Sequence, residues 1–483
     1  MGGEDIKHKQ EDENRMIQLS DICRAEGLEQ GEDVLLLRLS TEHQRHIARN
    51  ALKMAYYEDK NAIKNLSMAV PEKFLGTIDC SVGWCAKAVD MVAARSRFDS
   101  YTCADHDVAS ALSAIAADND LSDLYSQAIT SELVHGCGFW TVSAGDQSAG
   151  EQQVVINYRD ALSASALYDY RTKGIKAGMV VEDYDYVSGS LSDLLEPSMV
   201  VLHTAENVVT IVRKDRKWAV ADRQANPMGR PLMEPMGYRP RYGRFGKSRV
   251  TRTLMGITDE MQREIVRMAL HSECFSAPQK YMLGAPEDMF DIEKMKMAYN
   301  SFMMVTDDPL TGARPTLGQF SQASMTPHLE VMRNLASRAA AEASIPVDSL
   351  GIIHDNPSSA EALRASMDNL IIEIESLNKT NGKALVNVAR MALAIAGGKS
   401  IGELTDEERT LTVHWEDPAN PSIAAMSDAM VKQAAVAPGL VDSDVFWERL
   451  GYQEDERRRI KADMRQGKMA DALNSMFAAS GGE

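Results

Sequence analysis

Aromatic residues make up only 6% of this 483-residue chain, and no apolar run approaches the roughly 18 residues that cross a bilayer. Cysteine is sparse. Cys23, Cys80, Cys85, Cys103, Cys137 and Cys274 share no repeated spacing, and a chain this long needs no disulfide scaffold, so reduced thiols are expected. The opening MGGEDIKHKQEDENR has no apolar segment of the kind a signal peptide needs, and Ile6 stands where myristoylation requires Ser or Thr. A soluble protein made in a reducing cytosol is the expectation. Basic charge is also short overall: 52 Lys and Arg against 70 Asp and Glu leave −18, which argues against a simple nucleic-acid coat. There is no internal repeat and no low-complexity segment.

Catalytic signatures are missing as well. Gly246-Lys247-Ser248 precedes a helix, but a phosphate loop needs glycine where Arg241 stands, and PLMEPMGYRP is a poor candidate for a preceding strand. His43 and His46, with Glu42 beside them, have no third ligand near in sequence, and Cys80 and Cys85 read as buried thiols. Asp183 and Asp185 lack the glycine and distal glutamate of a calcium loop. No metal, no cofactor and no enzymatic chemistry are expected.

What is present is a helical chain with one sheet-rich section. The 28 methionines suit irregular helical packing or adaptable contact surfaces. From Asp33 to about Val70, Leu35, Leu39, Ile47 and Leu52 recur at helical spacing; further helices are expected near 80–95, 106–117 and 120–135. Residues 138–222 carry short β-branched runs (VVINY, GMVVEDYDYV, SMVVLHT, VVTIVRK) that read as a strand meander. A long helix follows over Ser248–Phe275, with Val250, Leu254, Ile257, Met261, Ile265 and Met268 on one face. Residues 276–326 are irregular, with FMMVT strand-like and GQFSQASM flexible. A second helix is expected from Thr326 as N-cap, with Pro327 first in the helix, to a stop at Ile345-Pro346. A third opens on a Ser358–Glu361 capping box, carries Leu363, Met367, Leu370, Ile374 and Leu377, and ends at Gly397-Gly398. LTVHWED reads as a strand, and the charged tail beyond Pro421 as helical.

Charge is unevenly placed. Residues 213–252 hold twelve Lys and Arg but only Asp215, Asp222 and Glu234, a surplus of nine that leaves the rest of the chain at −27. A solvated loop, a phosphate-facing surface and a subunit-facing surface all fit this belt.

Four stretches in this order carry a resemblance: YYEDKNAIKNL with WCAKAVDMVAARSRF, NPMGRPLMEPMGYRP, YGRFGKSRVTRTLMGITDEMQREIVRMALHSECFSAPQKYMLG, and AAAEASIPVDSLGIIHDNPSSAEALRASMDNL. Together they resemble the portal (head–tail connector) proteins of tailed bacteriophages over roughly residues 50–430. The charged tail beyond about 430 matches weakly. The resemblance implies an α+β, mainly helical subunit with wing, stem, clip and crown that closes into a ring, about dodecameric, around a DNA channel. It apportions the chain as a flexible N-terminus (1–30), wing helices and β meander (31–246), first stem helix (247–275), clip (276–326), second stem helix (327–345), tunnel loop (346–358), wing helix and return strand (359–420), and crown helices (421–483). Leu350, Gly351, Ile352, Ile353, His354, Asp355 and Asn356 would form the constriction that touches DNA; a plain helix connection is the alternative. Arg239, Arg241, Arg244, Lys247, Arg249 and Arg252 would serve a subunit interface or the stem entrance.

Implied partners are further copies of the chain, double-stranded DNA passing without sequence preference, the major capsid or scaffold protein, the terminase packaging motor, and head-completion or tail adaptor proteins, with no membrane. The implied location is the capsid portal vertex of the virion, after synthesis in the host bacterial cytoplasm. Competing readings are a smaller-type ring adaptor, a scaffold that binds partner helices, and an enzyme with an unrecognised site in the 138–222 sheet.

Overall fold

The computed structural model describes residues 19–63, 79–186, 195–214, 217–276, 280–283, 312, 316–319, 324–351, 360–419, 423–437, 439, 441, 443–452 and 456–465. After a 3-10 turn at Leu19–Arg24 come four α-helices, α1 (Glu32–Tyr57), α2 (Trp84–Ala93), α3 (His106–Asp118) and α4 (Leu121–His135), with strand β1 (Phe98–Cys103) between the second and third. Asp105 starts α3 by accepting from the backbone N–H of Asp107, satisfying a donor that the first turn leaves open. The expected face of α1 is only half right. Leu39 is fully buried and Leu35 half-buried, but Ile47 and Leu52 are exposed, and Leu36, outside the expected set, is fully buried. Polar His43 and Asn50 take the inward places instead, because each reaches a backbone carbonyl. His43 Nε2 lies 2.7 Å from Leu162 O, and Asn50 Nδ2 donates to Ala161 O at 3.1 Å.

The strand section comprises β2 (Cys137–Ala144), β3 (Val154–Asp160), β4 (Ala164–Tyr168), β5 (Ile175–Tyr186), β6 (Leu195–His203), β7 (Asn207–Lys214), β8 (Lys217–Ala225) and β9 (Met233–Gly237). They form two antiparallel sheets, ordered β3-β2-β9 and β4-β5-β6-β7-β8. The run expected not to ladder does so: Met233–Gly237 pairs with β2, with Pro235 opposite Phe139. Proline is tolerated because β9 is an edge strand and Pro235 needs no outward N–H bond. The five-stranded sheet packs Met179, Val200, Leu202, Val209 and Ile211 against Leu36 and Leu39 of α1. The three-stranded sheet faces the main core through Trp140, Val142 and Ile156.

Next come α5 (Arg252–Ser276), β10 (Lys280–Leu283), β11 (Thr316–Gln319), α6 (Thr326–Ala343) and α7 (Ala360–Ala396). Within the stretch read as flexible, Gly318 and Gln319 are strand: β10 and β11 pair antiparallel, with Leu283 opposite Thr316. FMMVT and Ser358 of the capping box lie outside the described residues. Helix α6 includes Thr326, so that residue is not its cap; Ser324 Oγ accepts from the Thr326 N–H at 3.1 Å. On α7, Leu370, Ile374 and Leu377 are buried as the spacing requires, and the helix stops before Gly398, whose φ of 58° suits glycine. Strand β12 (Leu411–Trp415) pairs with β1, sealing a core that spans over 300 residues of sequence. Helices at Ile423–Val436, Asp444–Arg449 and 456–465 follow. Among the described residues, no helix is long and apolar enough to cross a membrane.

Candidate functional site

The long helices α5 and α6 run antiparallel. Thr251 caps α5 by accepting from the Leu254 N–H at 3.1 Å while its hydroxyl donates to Glu342 Oε1 at 2.7 Å, near the far end of α6. Farther along, Arg338 pairs with Glu260 at 3.1 Å. At the other end, Glu264 Oε1 lies 2.6 Å from His328 Nδ1, and His328 Nε2 lies 2.7 Å from His271 Nδ1. Small side chains make close approach possible: Ala336, Ala339, Ala340 and Ala343 of α6 are buried in the same core as Leu254, Ile257 and Met261 of α5. At 1.5 Å per residue α5 is about 37 Å long and α6 about 27 Å, and together they form a rod.

The rod is fixed to the body at Arg249, whose side chain is 4% exposed. Its guanidinium donates to Ala88 O of α2 at 2.5 Å, to Tyr238 OH at 3.1 Å, to Glu373 of α7 and to Ala343 O at the end of α6. Arg239, over half exposed, adds a 3.3 Å contact to the same Glu373. A buried cation donating four hydrogen bonds joins four separate segments at one point. The stretch before it is equally tight. Lys247 N–H donates to Tyr238 O at 2.7 Å and Ser248 Oγ to Val134 O at 2.5 Å, while a Cβ on Gly246 would sit 1.7 Å from Gly136 O. The Gly-Lys-Ser sequence is thus a packed crossing, with its backbone turned to the protein.

The six belt residues therefore part company. Arg249 is buried with its four partners all in its own chain, which corrects its placing on a subunit interface. Arg241, Arg244, Lys247 and Arg252 instead line a groove of about 790 Å³ together with Arg38, Arg45, Arg49 and Lys53 of α1. Sequence reading missed the α1 contribution. Its signal was the spacing of 38, 45, 49 and 53, which puts all four on one helix face. Burial beside Arg49 lowers Lys53 to about 8, and its amine donates to His135 O at 3.1 Å. Other belt cations are paired within the chain: Arg213 with Glu196, Arg223 with Glu32, and Arg230 with Glu234.

Of the expected constriction, the structure places Leu350 and Gly351. A 3-10 turn over Val347–Leu350 follows α6, Leu350 packs on the main core, and Gly351 is exposed with φ 83°. Ile352, Ile353, His354, Asp355 and Asn356 lie outside the described residues. Of the residues weighed as metal-type pairs, His46 contacts Glu42 at 3.3 Å, Cys85 Sγ lies 3.6 Å from Thr258 Oγ1, and Asp185 contacts Arg213 at 3.6 Å.

Residues 36–469 match the family model of phage portal proteins, SPP1 Gp6-like. The chain belongs to that portal protein family. It is 25% identical over 451 residues to the portal protein of Mycobacterium phage L5, covering 90% of this chain and 89% of that one. It is 24% identical over 418 residues to the portal protein of Mycobacterium phage D29, covering 84% and 83%. Among solved structures, a chain in the virion of a native gene transfer agent particle matches at TM-score 0.43 and 13% identity, covering 84% of this portal chain and 99% of that one. A chain in the neck of the native particle, computed with C12 symmetry, matches at TM-score 0.41 and 12% identity, covering 83% and 98%. The family is structural and not a family of enzymes, and its members are virion components at the capsid vertex.

Proposed function

We propose that this portal chain closes into a ring, about dodecameric, that forms the channel for packaging and ejecting double-stranded DNA and the docking site for the terminase motor and the tail adaptors. The observation that carries this reading is the α5–α6 rod anchored at Arg249. It is a stiff antiparallel element whose two ends carry different jobs, with the segment from 346 at one end and the β10–β11 ribbon at the other. The segment 346–358 would narrow the channel, gripping DNA by shape through its apolar residues and not by reading bases. The clip, 276–326, would face the motor and later the adaptors, while the wing meets the capsid or scaffold protein. The acidic balance of the chain supports passage, since a wall of like charge repels phosphates and a basic wall would hold them through counterion release.

Negative-stain imaging with native mass measurement tests the ring. Annular particles near twelve times 53.2 kDa are expected. Subunits that stay monomeric even with capsid components present would overturn it. The constriction is tested separately by Ile352→Asp with Ile353→Asp, which should leave rings intact and impair DNA packaging or retention. Unchanged packaging removes that role.

A further inference from the structure

The groove between α1 and the 241–252 segment carries more positive charge than the described residues of its own chain neutralise. Among the described residues, eight Lys and Arg side chains line it, with one carboxylate, Glu42. That carboxylate is already engaged, by Arg45 at 3.2 Å and His46 at 3.3 Å. Among the described residues, Arg38, Arg241, Arg244, Lys247 and Arg252 have no side-chain counter-ion. Cations gathered from two walls repel one another unless an anion lies between them. The floor adds a second feature. Residues Ala164–Tyr168 of β4 line the groove, β4 is the edge strand of its sheet, and no backbone hydrogen bond reaches its outer side among the described residues. An open strand edge is a template for an added strand. Tyr170, which lines the groove, is 61% exposed and in edge contact at 5.5 Å with Tyr242, 73% exposed.

We infer that this groove seats an extended acidic segment from a neighbouring copy of the chain, laid along β4 and held between the two basic walls. The inference rests on the ring proposed above. A volume of this size takes a few residues of peptide and not a DNA duplex. The source follows from charge: without the belt the chain carries −27, and in a closed head-to-tail ring each copy meets the groove with a different face of itself.

The test uses the full chain assembled from equal parts unlabelled and isotope-labelled protein, treated with a zero-length carbodiimide that joins amines to carboxylates. Lys247 should be joined to Asp- or Glu-bearing peptides of the opposite label. The double variant Arg241→Glu, Arg244→Glu should keep the subunit's unfolding midpoint and weaken ring assembly about tenfold or more. Raised salt should weaken wild-type assembly in the same direction. Lys247 cross-links confined to one label, or absent, would overturn the inference, as would wild-type ring yield from the double variant. Binding of a short DNA duplex to wild-type rings that is lost in a fully assembling variant would assign the groove to nucleic acid instead. A wild-type chain that forms no rings under any condition removes the ring itself, a result distinct from intact rings with an empty groove.

Discussion

Arg244 and Arg249 stand five residues apart in one basic stretch and live in opposite physical regimes. Arg249 is withdrawn from water and meets Ala88, Tyr238, Ala343 and Glu373; Arg244 faces solvent across a groove of like charge. The difference lies in what each guanidinium exchanged for its water. Arg249 found a carboxylate and two carbonyls from distant segments, while Arg244 retains its hydration. Charge counted along a sequence is therefore no guide to charge presented at a surface.

The sharpest way to break this comparison is to remove the buried partner. Arg249→Met leaves Glu373 uncompensated in the interior and should cost about 3–5 kcal/mol, read as a loss of the denaturant midpoint. Adding Glu373→Leu should recover a large part of it, since an ion pair replaced as a unit costs far less than one broken. A single-variant midpoint equal to wild type would show that the junction does not hold the rod.

Glu132 sharpens the contrast from the anionic side. It is fully buried with no cation beside it among the described residues; Asn381 Nδ2 donates to its Oε2 at 2.8 Å, and burial pushes it up to about 8. An unfolded glutamate titrates near 4.3. Between those values the folded state holds a proton that the unfolded state has released. Stability is thus complete below the unfolded value and falls as pH rises toward about 8, by up to about 1.4 kcal/mol per pH unit. Glu132→Gln should flatten that slope and stabilise the protein at pH 8, measurable by denaturation across a pH series. An unchanged slope would place the proton elsewhere.

Smaller effects are expected away from the buried junctions, at the partly buried His328 and at the exposed Arg244. His328→Ala breaks the Glu264–His328–His271 chain between α5 and α6 and should cost about 1 kcal/mol. Hydrogen exchange should show the loss concentrated at that end of the rod. Least of all, Arg244→Ala should change subunit stability by less than about 0.5 kcal/mol, the usual range for a surface substitution. A larger loss would mean that the groove cation supports the fold.

Much of the helical scaffold was legible because its period is local. The inward faces of α5 and α7 follow from side chains three and four apart, and Gly397-Gly398 marks a stop within the same few residues. The errors arise where a partner far along the chain decides. Ile47 and Leu52 read as core, yet His43 and Asn50 are inward because carbonyls of the 161–162 turn await them. Pro235 argues against a strand until β9 is known to be an edge. The groove joins residues 38–53 to residues 241–252, and Arg249 finds Glu373 across 124 positions, pairings that no spacing rule along one chain reveals. Family likeness, carried by the order of motifs, supplied the architecture that periodicity alone did not assemble.

The β10–β11 pairing has a consequence for how such chains diversify. Because Leu283 lies opposite Thr316, the polypeptide departs from the ribbon and rejoins it at adjacent points. Whatever intervenes is spliced in at a doorway one strand spacing wide. Its two ends are already held together, so a change in its length adds little closure cost. The sequence between them can lengthen, shorten or be exchanged wholesale with no change of register in the rod below, which makes this the natural place for one scaffold to acquire new attachments.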